Sequence, residues 1–135
     1  MHRGVILSVV AASAALVAAA PPSALANIAG GLWEISGTPG IKEPIRECVG
    51  DIAALAQFEH RASHCTRNVL SDHGTSTLIS YKCGGAGFGQ STIEVITPRS
   101  LKISTQGISD QLPFNYVLQA RRVGECTKTP PVTHH

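Results

Sequence analysis

The chain of 135 residues sets 11 Lys and Arg against 9 Asp and Glu, a formal net charge of +2. Its cations lie scattered beside acids rather than in a stripe with interleaved aromatics, which excludes a nucleic-acid surface of the usual kind. Aromatics are only 4% of the residues, which gives no support to a platform that stacks sugars on exposed rings.

The first element is a leader. Met1-His2-Arg3 is a short positive start, Gly4 to Ala20 is apolar, and Ala24-Leu25-Ala26 puts small residues at the −3 and −1 positions of a signal-peptidase site. Cleavage is expected after Ala26, so residues 1–26 are read as a cleaved signal peptide and Asn27 as the new N-terminus. Removing Arg3 takes the net charge from +2 to +1. No cysteine follows the apolar run, so there is no thiol for a lipid anchor, and no later stretch is apolar enough to span a bilayer. The expected product is exported to the periplasm or the exterior of a bacterium as a single β-rich domain, residues 27–126.

Gly31–Ser36 reads as a short strand stopped by Gly37, Pro39 and Gly40. Ile45–Cys48 is a second, and Pro44 before it suits an edge. One helical pattern follows: Gly50-Asp51 can cap it, and Ile52, Leu55, Ala56 and Glu59 share a face to a stop near Arg61. Thr66–Leu70 and Thr75–Tyr81 flank Asp72-His73-Gly74 as a hairpin, with Gly74 supplying the φ > 0 of a tight turn. Gly84–Gly89 reads as a flexible connection, with Phe88 tucked into the sheet. Ser91–Thr97 and Leu101–Gln106 are strands around a Pro98-Arg99 turn. In the last strand Leu112, Phe114, Tyr116, Leu118 and Ala120 face one way, and Pro113 suggests a locally unpaired edge. Residues 127–135 read as a disordered tail. The expected fold is mainly β: an antiparallel meander forming a strongly curved sheet or partly closed barrel, with one short helix over an opening.

In an oxidising compartment, Cys48, Cys65, Cys83 and Cys126 are expected to form two disulfides. The preferred pairing is Cys48–Cys65 with Cys83–Cys126. The other, Cys65–Cys83 with Cys48–Cys126, needs a hairpin register centred on Gly74, from which common glycine turns depart by one or two residues.

GLWE close behind the leader, Cys48 before a short helix, Cys65 and Cys83 bounding a hairpin, and ARRVGEC at 120–126 together resemble a family of small exported bacterial proteins, domain of unknown function 3617. The resemblance spans Gly31 to Cys126 and differs at the helix start, where CVGDIAAL replaces a Thr-Pro-Glu-like pattern. It implies export and a β-rich fold, and it implies no reaction.

Chemistry is sparse. His60 and His64 have the i, i+4 spacing from which zinc sites are built, but a third ligand would have to come from Glu59, His73 or a free Cys65, and two histidines at a helix C-terminus suit its partial negative charge equally well. The GGAGFG run lacks the Lys-Ser/Thr of a phosphate loop and precedes a strand, and no Gly-x-Ser-x-Gly elbow occurs. No catalytic residue, metal or cofactor is expected. The expected function is a non-enzymatic binding module for a small hydrophobic ligand, lined by Trp33, Ile93, Val95, Leu112, Phe114, Tyr116 and Leu118. The rival is a protein-partner module of the cell envelope, an assembly factor or protease inhibitor, acting through Gly84–Gly89 or Gly37–Ile41.

Overall fold

The computed structural model describes residues 4–12 and 21–127. The tail expected at 127–135 lies outside the described residues beyond Thr127, as do residues 1–3 and 13–20 of the expected leader. Among the described residues no helix is long and apolar enough to cross a membrane.

Seven antiparallel strands form one sheet: β1 (Gly31–Ser36), β2 (Ile45–Val49), β3 (Thr66–His73), β4 (Ser76–Lys82), β5 (Gly87–Thr97), β6 (Ser100–Ser109) and β7 (Leu112–Gly124). Their order is β2-β1-β7-β6-β5-β4-β3, so the meander from β3 to β7 is continued by β1 and β2. β2 and β3 are the edges, and the sheet does not close into a barrel. Pro44 stands just before the edge strand β2, and Pro113 lies in the half of β7 that β1 does not reach, because β1 pairs only with Gln119–Gly124. Both prolines therefore sit where no ladder N–H is needed on one side.

The helix forms where the pattern placed it, but as a 3₁₀ helix, Ile52–His60, packed on β4, β5 and β6. Ile52, Leu55 and Phe58 recur every third residue, which suits three residues per turn, and all three are buried. Asp51 accepts a hydrogen bond from the Ala53 N–H at 3.0 Å and caps the start. A break at Gln57 splits the helix into two short pieces, consistent with the rarity of long 3₁₀ runs.

The preferred cysteine pairing is corrected: the bridges are Cys48–Cys126 and Cys65–Cys83. The two-residue loop Gly74-Thr75, with Gly74 at φ 56, pairs His73 with Ser76 and by itself would leave the cysteines out of register by one. A β-bulge at Leu70 removes that offset, so that Val69 pairs with Ile79, Thr66 with Lys82, and Cys65 faces Cys83. The other bridge ties β2 to the end of β7, the two strands that flank β1 at Leu32.

Gly84–Gly89 is not a free connection. Gly84–Ala86 makes one 3₁₀ turn, β5 begins at Gly87, and Phe88 points away from the core, 53% exposed. Strand alternation is the reason, because it is Gly89 that faces inward.

Candidate functional site

The residues expected to line a cavity share the inner face of the sheet but do not enclose an opening. Trp33, Ile93 and Leu118 are 0% exposed, closed over by the helix and its neighbours. The Trp33 indole N–H donates to the Ala29 carbonyl at 3.3 Å. Val95 and Tyr116 are half-buried against the same core, Phe114 is half-buried, and Leu112 is 69% exposed at the far end of β7. The apolar face of β7 is therefore graded, open at Leu112 and sealed by Leu118 and Ala120, because the helix covers only part of it.

Where the helix ends, Tyr81, Gly89, Gly107 and Phe114 stand in register across β4 to β7. The two glycines make the seats: a Cβ on Gly89 would fall 2.5 Å from the Tyr81 hydroxyl oxygen, and one on Gly107 would fall 2.9 Å from the Phe114 ring. His60, 5% exposed, inserts between the two rings, edge-on to both. Its Nε2 lies 2.9 Å from the Ala86 carbonyl and its Nδ1 3.0 Å from the Tyr81 hydroxyl. A carbonyl only accepts, so Nε2 carries a proton, and the Tyr81 hydroxyl, which can donate or accept, partners Nδ1. The Tyr116 O–H donates to the Glu59 carboxylate. Burial, and then the Glu59 charge, push the Tyr81 phenol up to about 12. Burial first, then the bond to Glu59, raise Tyr116 further.

This arrangement spends its polar groups on one another. His60 has both nitrogens engaged, Glu59 is taken by Tyr116, and Cys65 is in a disulfide, so His60 and His64 do not form the start of a ligand set. Among the described residues no three His, Cys, Asp or Glu side chains gather to hold a metal. Ser91 is engaged likewise, donating to the Ala56 carbonyl and accepting from Thr105 at 2.7 Å.

A different place is open. Between the helix start, the β3–β4 hairpin and the chain ahead of β1 lies a pocket of about 530 Å³, walled by Ile52, Ala53, Val69 and Ile79 and, on its other side, by Pro22 and Leu25. Its rim is stiff. Arg67 on β3 donates to the Gln57 side chain at 2.7 Å and to Asp51 at 2.9 Å, and the Cys65–Cys83 bridge closes the hairpin beside it. The chain ahead of β1 supplies one wall of this groove. Ser23–Leu25 forms one 3₁₀ turn, closed by the Leu25 N–H on the Pro22 carbonyl at 2.9 Å. Leu25 is 3% exposed and joins the core, and Pro22 is buried. Asp72, at the end of β3, accepts from the Ser23 N–H at 2.6 Å, the Ser23 hydroxyl at 2.7 Å and the Ala24 N–H at 3.0 Å. Those bonds, the Ala24 N–H foremost, hold its carboxyl below the usual range, with a smaller contribution from His73.

Sequence reasoning treated Asp72 as a turn residue and Leu25 as the indifferent middle of a cleavage box. Nothing in the local pattern marks either as a contact, because the partners are 48 and 49 residues apart. The seats at Gly89 and Gly107 did carry a signal, since glycine inside a strand marks close approach. No family profile, curated protein or solved structure matches this chain.

Proposed function

We propose that the chain is an exported, non-enzymatic binding module that holds an apolar guest in the groove between the helix start and the β3–β4 hairpin. What carries this reading is the nature of the segment that walls the groove. Pro22 and Leu25 are buried and wall one side of the groove, and both lie on the amino side of Ala26, where the sequence places signal cleavage. Cleavage there withdraws that wall and widens the groove into a slot on a disulfide-braced frame. Such a slot, apolar along Ile52, Val69 and Ile79 and polar at Asp51, Arg67 and Asp72, has the mixed lining of a ligand site.

The absence of a reaction is supported by the mutual engagement of His60 with Tyr81, Tyr116 with Glu59, and Ser91 with Thr105. Export is supported by the two disulfides, which are consistent with an oxidising compartment. The resemblance of GLWE and ARRVGEC to domain of unknown function 3617 belongs to the same reading. The rival, an envelope-protein partner, draws on β3, an edge strand that exposes Val69 and Leu70.

The test is intact and native mass spectrometry of the protein recovered from its envelope compartment, followed by titration with the apolar dye anilinonaphthalene sulfonate. The expected result is a chain beginning at Asn27 with two disulfides that carries a small adduct or takes up dye at one saturable site. A chain of that mass with neither adduct nor saturable uptake overturns the reading.

A further inference from the structure

We propose that the natural guest is a short apolar segment of a partner polypeptide, seated as Pro22–Leu25 is seated here. This rests on the binding reading above and names the class of guest. The reason is that the frame around the groove already holds a peptide along one side, and holds it by its peptide character. Asp72 takes two consecutive backbone N–H groups, those of Ser23 and Ala24, with the Ser23 hydroxyl as a third donor. A hydrocarbon guest has no such donors, and would leave the carboxylate with no part in recognition. Charge-assisted bonds from backbone N–H to carboxylate are directional and fix where a chain enters.

The side-chain anchors fit the same turn. Pro22 and Leu25 stand three residues apart on one 3₁₀ turn, so both point to the same side, and both are buried. Proline at the first anchor holds its φ in advance, which lowers the ordering cost of docking. The guest is thus defined by chemistry: an apolar or proline residue, two residues with free N–H groups of which the first gains from a hydroxyl, then leucine or a residue of its size. The walls are held by Arg67 with Gln57 and Asp51 and by the Cys65–Cys83 bridge, none of which depends on the segment.

The experiment uses the exported protein as purified, its start established by intact mass. It is titrated calorimetrically with an N-acetylated, C-amidated hexapeptide of residues 21–26, Pro-Pro-Ser-Ala-Leu-Ala. The expected result is saturable one-to-one binding. Replacing the peptide leucine by alanine should weaken it about tenfold or more, as expected for loss of a buried leucine. Asp72→Asn in the protein, a change at an exposed hairpin end that leaves the core intact, should weaken it several-fold. No saturable binding, or affinity unchanged by either substitution, overturns the proposal. If the apolar dye still enters while the peptide does not, the binding reading stands and only the peptide guest fails. If neither enters, or the exported chain still carries Pro22 and Leu25 in the groove, both fail.

Discussion

The two tyrosines of the chain show how much a single contact sets at the residue scale. Tyr81 lies over Gly89 with its hydroxyl on His60, and Tyr116 gives its proton to Glu59. Both phenols are raised, Tyr81 to about 12, chiefly by burial. An exposed phenol titrates near ~10, so the folded protein should show no tyrosinate absorbance step there. The sign of the linkage follows. Above the unfolded value the unfolded chain has lost phenolic protons that the native state still binds, so stability is complete below that pH and falls as pH rises towards about 12. Spectrophotometric titration with circular dichroism in parallel checks this. An ordinary step near pH ~10 with native dichroism retained would mean that the rings are open to water.

At the scale of elements, the hairpin is the informative case. Strand positions, the Pro98-Arg99 turn and the inward face of β7 were legible in the sequence, because alternation and proline or glycine chemistry act over a few residues. The pairing of cysteines was not. It depends on a one-residue irregularity at Leu70, and Val69-Leu70-Ser71 has nothing in its composition that distinguishes a bulge from a regular strand. The helix was legible in place but not in pitch, because Ile52, Leu55 and Ala56 fit both three and 3.6 residues per turn. The register leads to an unexpected outcome for deletion of Leu70. Removing the bulged residue lets Val69 keep its partner Ile79 in a regular ladder, so Cys65 still faces Cys83. The deletion variant should form the same bridge, as non-reducing peptide mapping can show, and a variant with scrambled cysteines would refute this account of the register.

For the whole molecule, the candidate site could not be read from the sequence because it lies between parts remote in the chain. The groove joins residues 21–26, the helix start and the β3–β4 hairpin, and only the tertiary arrangement brings Asp72 to Ser23 and Ala24. The residues expected to line a cavity share one face of the sheet, but a face becomes a core when a helix lies on it, as Trp33, Ile93 and Leu118 show. The Cys48–Cys126 bridge, with its sequence separation of 78, has a mechanical consequence. The helix and β3 to β7 all lie inside the loop it closes, so tension applied between the chain ends passes through sulfur and leaves those elements unloaded. Stretched singly, the oxidised protein should lengthen only by the unravelling of β1 and the start of β2. Reduction should release the 78-residue span, a gain of about 280 Å at full extension.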